Sequence, residues 1–266
     1  MARLPVNETL AGRSLNFCLP LDLSRLENAR LRLVPFEQYW ESLSSMFVQE
    51  TSKWPELFKY LPFGPFQDQA RFKLWYDETF GQNESVILFA VLVKQGALEK
   101  TATATQNDSS TTLGGSEEYT FAGTIGMLNA DVAHSRAEIG YIIILPRFQR
   151  TFVATNAHGL LLQHCLDPNP DLELRRVQWQ ANAQNAASIG SAQRMGYTLE
   201  GITRWQRVLP EGKTGVGATD RDGKGLPELG ADGRPLGPGR HSVMLSMCWD
   251  DWRSGKREAV AELMRR

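Results

Sequence analysis

The stretch that decides the fold is Glu138 to His164, "EIGYIIILPRFQRTFVATNAHGLLLQH". It runs an apolar, β-branched strand into a Pro-marked basic turn and then into an apolar helical pattern. Strand, basic turn and helix in that order make a place where main-chain N–H groups at a helix start meet phosphate oxygens. Yet no glycine stands between Pro146 and His158. If the turn holds an anion, it does so without the residue that most easily allows close approach.

Working outward, "SVILFAVLVK" and "YTFAGTIGMLNA" read as two strands of a meander on the N-terminal side. Before them, "ARLRLVPF" (Ala29 to Phe36) alternates as a strand and leads into a helical pattern through about Gln49. "SKWPELFKYLPFGPF" is aromatic and proline-rich, a loop packed over a cavity, and a helix follows in "QDQARFKLWYDETF". On the C-terminal side come the strand "LELRRVQWQA", a helix across "NAASIGSAQRM" and a strand from Tyr197 to about Val208. The strand "HSVMLSMCW" and a helical "DDWRSGKREAVAELMRR" complete the chain.

Two segments interrupt this pattern. "QGALEKTATATQNDSSTTLGGSEE" has no periodicity and reads as a mobile loop. "PEGKTGVGATDRDGKGLPELGADGRPLGPGR" is too rich in glycine and proline to bury anything, and reads as a long flap or a disordered excursion. The expectation is one α+β domain over residues 1–266, with a core at about 29–250. Insertions fall at about 95–119 and 210–240, and a C-terminal helix at about 250–266. Its sheet is mixed, mostly antiparallel and twisted, flanked by helices.

A chain of 266 residues, 42% hydrophobic and 22% charged, can bury one substantial core. A formal charge of −1 excludes a general nucleic-acid binder, which shows a large excess of Lys and Arg. Small molecules or protein termini are the expected partners. Cys18, Cys165 and Cys248 are widely separated and odd in number, so neither a disulfide framework nor a metal site is expected, and a reducing compartment fits. The N-terminus has no long apolar run, and no stretch reaches the roughly 18 apolar residues a membrane span needs. The reading is cytoplasmic, with no membrane or nucleic-acid partner.

"GTIGMLN…AEIGYIIILPRFQRTFVATNA…RRVQWQANAQNAASIGSAQRMGYTLEG" resembles the GNAT superfamily of acyl-CoA N-acyltransferases, and within it the RimJ/RimL-like branch. The likeness covers roughly Ala29 to Val208. The family's turn pattern Gln/Arg-x-x-Gly-x-Gly/Ala falls on Gln149, Arg150, Thr151, Phe152, Val153 and Ala154, so Phe152 stands where the first glycine would be. Main-chain N–H groups come with any non-proline residue. A right-handed helical backbone would let Phe152 point inward while its N–H faces phosphate. Arg150, Thr151 and Thr155 would add donors. The alternative is a core aromatic beside a degenerate phosphate site.

The resemblance implies acetyl-CoA as acyl-donor cosubstrate and a GNAT-like single domain. It implies that Asn185-x-x-Ser188 opens the helix after the fifth strand, with Asn185 on the pantetheine arm, although Asn185 is equally read as a helix N-cap. It places the oxyanion-binding N–H near Ile143 or Ile144, with Leu145 completing that strand end. Base candidates are Glu138 and Glu200; both are equally read as structural carboxylates. The tyrosine that acts as general acid in some members would fall at Ala192, so Ser188 is the remaining hydroxyl. Trp54, Tyr60, Phe63 and Tyr141 are expected along the acceptor cleft.

Other constellations fail. "GKT" at Gly212 to Thr214 has Arg207 where a Walker loop needs glycine, and no Gly-x-Ser-x-Gly elbow exists. His164 and Cys165, adjacent on a helix, point apart, and His134 and His158 read as surface or packing residues. The functional expectation is acetyl transfer from acetyl-CoA to a primary amine of a small molecule or a polypeptide N-terminus, by a monomer or homodimer. The alternative is a catalytically inactive acyl-CoA-binding or scaffold protein of the same fold.

Overall fold

The computed structural model describes residues 15–98, 119–216, 230, 231, 233 and 237–266. The Thr/Ser-rich insertion, apart from its first turn, and most of the glycine-rich one lie outside the described residues. Seven strands form one sheet in the order β1-β2-β3-β4-β5-β7-β6. They are β1 (Leu31–Pro35), β2 (Ile87–Lys94), β3 (Tyr119–Asp131), β4 (Arg136–Ile144), β5 (Arg176–Asn182), β6 (Thr198–Val208) and β7 (Gly239–Cys248). Every pairing is antiparallel except β4 with β5. Helices α1 (Trp40–Thr51) and α2 (Gln69–Phe80) cover one face; α3 (Phe152–Leu166) and α4 (Ala186–Arg194) cover the other. No helix among the described residues is long and apolar enough to cross a membrane.

The parallel pair is short. β4 meets β5 only at Arg136↔Arg176, Ala137↔Val177 and Glu138↔Gln178, although both strands run on, to Ile144 and Asn182. Beyond Glu138 they part and leave a wedge. The cause lies on the other edge of β4, where its register with β3 shifts between Thr124 and Gly126 and Tyr141 takes a left-handed φ of +50°. An extra residue on one strand bends it and sharpens its twist. Thr124 Oγ1 donates to the Tyr141 carbonyl at 3.1 Å and holds the bulge. Gly123, at φ +140°, permits the close approach: a Cβ there would stand 1.9 Å from the Ile143 carbonyl oxygen.

On the α1/α2 face the core is aromatic, with Phe36, Phe47, Phe58 and Phe72 fully or almost fully buried and packed edge-on or stacked. On the other face α3 is apolar nearly all round, because the sheet lies beneath it and the C-terminal helix α6 (Arg257–Arg265) on top. The expected single helix at 250–266 is broken: α5 (Trp249–Asp251) and α6 flank a wide turn in which Gly255 takes φ +112°. The glycine-rich insertion is anchored at both described ends. Leu209 is buried and donates to Pro238, Val216 and Gly239 exchange hydrogen bonds, and Lys213 Nζ donates to the carbonyls of Phe58 and Phe63, each at 2.9 Å. The segment expected to leave the fold at Pro210 is therefore held to it as far as Val216.

Candidate active site

The wedge has one open wall along β4. Leu145 donates its N–H to Ala122 of β3, so by strand alternation Ile143 also faces β3, as its contact with Gly123 shows. Ile144 and Ile142 then face the wedge, where β5 no longer pairs. The Ile144 carbonyl is met there by Gln149 Nε2 at 2.9 Å, which leaves the Ile144 N–H as the donor aimed into the opening. Of the strand-end residues expected to serve the acyl donor, Ile144 has the right direction. The Ile143 main chain faces β3, and Leu145 gives its N–H to Ala122 and its carbonyl to Phe148 N, so neither turns a main-chain donor into the wedge.

The glycine-free turn lies at the mouth of the wedge. Its backbone is not right-handed throughout: Arg150 takes φ +60°, and Thr151 is extended at φ −110°, ψ −174°. Thr151 is the N-cap of α3, its Oγ1 accepting from Val153 N at 3.3 Å and donating to the Phe148 carbonyl at 2.7 Å. The Val153 N–H is thus taken. No protein acceptor meets the N–H groups of Arg150, Thr151, Phe152 and Ala154 among the described residues. Phe152 points inward, 5% exposed, with the Arg30 guanidinium 5.0 Å from its ring centroid. Its side chain therefore leaves the helix start clear. Free N–H donors, the positive end of the α3 dipole and the exposed Arg150 together form a cationic rim. Thr155, one turn in, is half-buried.

Across the wedge, β5 delivers α4. Asn185 is its N-cap, accepting from Ser188 N at 3.1 Å, which leaves the Asn185 amide N–H₂ for a ligand. Ser188 Oγ accepts from Trp179 Nε1 at 3.0 Å, so the hydroxyl proton is free to be donated elsewhere. Behind it, Trp179 stacks on His158 at 4.7 Å, and His158 Nε2 meets the Tyr197 hydroxyl at 2.7 Å. Burial pushes the His158 imidazole down to about 3 and keeps it neutral, as a packing residue should be. Ala192 is wholly buried and brings no polar group.

Glu138 stands at the apex, the last β4 residue paired with β5. Its side chain is on the α2 face and 4% exposed. Oε2 accepts from Asn129, Gln178 and Gln180 at 2.9, 3.0 and 2.9 Å. Burial nevertheless outweighs these bonds and the nearby Arg207 and Arg240, and holds its carboxyl above the usual glutamate range. Glu200 is different. Arg176 grips it with two bonds of 2.6 and 2.5 Å, Ser246 adds one at 2.8 Å, and these hold its carboxyl below the usual range. A carboxylate so occupied is a poor proton acceptor, so Glu200 serves the sheet rather than the wedge.

Beside Glu138, Tyr141 packs against Phe63 at 5.5 Å, Phe80 at 5.2 Å and Trp75 at 5.9 Å. Phe63 and Tyr141 are thus brought together. Trp54 is 42% exposed and shares no ring contact with them, and Tyr60 pairs with Lys59, so these two stand apart. The sequence reading missed the polar floor. Gln178, Gln180 and Asn182 share one face of β5, opposite Ser246, Met244 and Ser242 of β7. The signal was present in "RRVQWQAN", where every second residue is polar on a strand with neighbours on both sides.

These residues fit a long acyl thioester bearing phosphates. The unbound donors at the start of α3 suit a pyrophosphate, the parted strands admit an extended arm, and Ile144 N–H is directed at the far end. The comparisons agree. The chain matches the family model "Acetyltransferase (GNAT) domain" over residues 30–198. None of the curated proteins matches it in sequence. Among solved structures, a probable acetyltransferase (GNAT family) from Chromobacterium violaceum ATCC 12472 is 20% identical, with a TM-score of 0.61 over 88% of this chain and 96% of that one. The Microcin C7 self immunity acetyltransferase MccE, in complex with acetyl-CoA and AMP, is 18% identical, with a TM-score of 0.54 over 83% and 93%. A Salmonella typhimurium acetyl transferase that modifies the N-terminal serine of 50S ribosomal subunit protein L7/L12 is 18% identical, with a TM-score of 0.52 over 83% and 96%. At these identities the likenesses speak for the fold alone. The family match, spanning more than half of the sequence, and the wedge that fits its acyl donor lead to one conclusion: this chain belongs to the GNAT acetyltransferase family, whose acyl donor is acetyl-CoA.

Proposed function

We propose that the chain is an N-acetyltransferase of the RimJ/RimL-like branch, acting in the cytoplasm on a primary amine of a small molecule or a polypeptide N-terminus. The observation that carries this reading is the position of Glu138, a buried carboxylate of raised pKa at the point where β4 and β5 part. Acetyl-CoA, when bound, supplies the thioester carbonyl that the amine attacks. The chain's residues do the rest. Glu138, directly or through a water, takes the proton that makes the amine a nucleophile. Ile144 N–H meets the negative charge developing on the acyl oxygen. Ser188, its Oγ already accepting from Trp179, directs its O–H as a hydrogen bond at the departing thiolate, which takes its proton from solvent.

Arg150 and the N–H groups of Thr151, Phe152 and Ala154 hold the phosphates, with Thr155 and Asn185 along the arm. Phe63, Tyr141 and Trp75 wall the acceptor side. No observation favours the inactive reading, and in this proposal Glu138, the Ile144 N–H and Ser188 serve as base, oxyanion donor and sulfur-side donor. An acceptor screen with acetyl-CoA, read by mass for added acetyl groups and by colour for free thiol, tests it. Acetylated amine with matching thiol release supports the reading; tight acetyl-CoA binding without release for any amine overturns it.

A further inference from the structure

The face of the sheet that carries Glu138 also holds a cation that the fold does not neutralise. Arg240, on β7 beyond Ser242, is 7% exposed, and its Nε meets no acceptor. Arg207 of β6 is paired directly opposite it. No carboxylate forms an ion pair with either guanidinium among the described residues. Two further buried donors at this end of the sheet are unpartnered, Asn182 Nδ2 and Ser242 Oγ, and these residues are paired through β5 and β7. A buried guanidinium with no counter-ion is strongly unfavourable, and several orphaned donors side by side are rare in a folded chain. They are explained when a ligand completes them.

The group belongs to the acceptor side of the wedge. Both guanidiniums act electrostatically on Glu138, and Arg207 acts on Tyr141 as well. Two cations against one carboxylate leave a net positive field, which repels a polycationic amine. The unmet polar atoms of Arg240, Asn182 and Ser242 are all able to donate, and donors suit an oxyanion. One unmet acceptor, Gln206 Oε1, lies on the chain of amides that runs from Gln206 to Gln180 to Glu138, where an N–H of the same ligand would be received.

We propose that Arg240 and Arg207, with Asn182 and Ser242, bind a carboxylate or phosphate carried by the acceptor molecule itself, close to the amine that is acetylated. The acceptor is therefore an anionic or zwitterionic amine. This deepens the reading of the wedge as an amine-acetylating site and rests on it.

The test uses matched acceptors that differ only in the anion: an amino acid against its amide, an aminoalkyl phosphate against the amino alcohol, and a dipeptide with an acidic second residue against a neutral one. The anionic member of at least one pair is expected to show about ten- to a hundred-fold higher kcat/KM, mostly through KM, because a site built for a charged hydrogen bond rejects the analogue that lacks it. The pair with the widest gap separates carboxylate from phosphate. Arg240→Met and Arg207→Gln should each draw that ratio toward one. Arg240→Met removes an uncompensated buried charge, so it should melt at or above the wild-type temperature; if it fails to fold, the exposed Arg207→Gln carries the test.

Anion binding is also read without turnover, as a rise in melting temperature with succinate or inorganic phosphate that the variants lose. Protection without acetylation of any amine would sink the acetylation reading and leave the anion site standing. Equal use of both members of every pair, a preference that survives both substitutions, or no protection by either anion overturns the proposal.

Discussion

Glu138 and Gln178 are the last residues that β4 and β5 pair, and Gln178 Nε2 donates to Glu138 Oε2 at 3.0 Å. This contact lies where the parallel ladder ends and fixes a buried carboxylate at the apex of the opening. Asn129 and Gln180 meet the same oxygen, so no hydrogen bond engages Oε1 among the described residues.

If Glu138 is the proton acceptor, the acid limb of kcat/KM reports its titration. Burial raises its pKa, so activity should fall with decreasing pH already above the usual glutamate range, as the carboxyl protonates and can no longer accept. Glu138→Gln should lower kcat/KM by about 10²–10⁴-fold and abolish that limb. A pH profile of both proteins checks this; an unchanged limb in the variant would assign it to another group.

Ser188 is held by Trp179 in an orientation that frees its proton. Ser188→Ala should lower kcat by about tenfold or more while leaving KM for acetyl-CoA nearly unchanged, since the bond forms only as the sulfur departs. Steady-state kinetics decide; an unchanged kcat returns Ser188 to the role of a first-turn residue.

Arg150 sits in the left-handed region at φ +60°, where a side chain is strained. Arg150→Gly should raise stability by up to about 1 kcal/mol and still weaken acetyl-CoA binding, opposite signs that separate backbone from charge. Arg150→Glu should weaken binding by about ten- to a hundred-fold, less steeply at high salt. Calorimetric titration beside a thermal melt measures both; full affinity in folded Arg150→Glu would mean that Arg150 does not face the phosphates.

His158 gives a prediction about stability alone. Its folded pKa is pushed down to about 3, whereas the unfolded chain titrates near 6.5. Between those values the unfolded state binds the extra proton, so stability is full above about 6.5 and is lost as pH falls, with a slope approaching roughly 1.4 kcal/mol per pH unit from this group. Denaturant melts of His158→Gln from neutral to mildly acidic pH should show a shallower decline than wild type. An identical decline would assign acid sensitivity to other groups.

The sequence made the scaffold legible because its signals are local. Alternation marks β1, apolar runs between turn signals mark β2 and β3, and the pattern from Glu138 to His164 gives strand, turn and helix. The direction of main-chain groups was not legible. Which of Ile143 and Ile144 faces the wedge depends on a bulge at Tyr141 and on Gly123 across the sheet, a long-range register that no window reveals. Glu200 misled for the same reason: its partner Arg176 lies two strands away. Arg240 was hidden at the end of a glycine-rich segment whose polar composition is ordinary for a loop; only burial makes its missing counter-ion visible.

The central claim is that the parted strands β4 and β5 hold the acyl donor with its carbonyl on Ile144 and its phosphates on the turn before α3. A crystal structure of the chain with acetyl-CoA tests it most directly. The account predicts the thioester oxygen within about 2.7–3.2 Å of Ile144 N, pyrophosphate oxygens at the same range from the N–H groups of Thr151 to Ala154, and sulfur beside Ser188 Oγ. Acetyl-CoA bound away from the wedge, or in it with no main-chain contact at Ile144 or the α3 start, would contradict it.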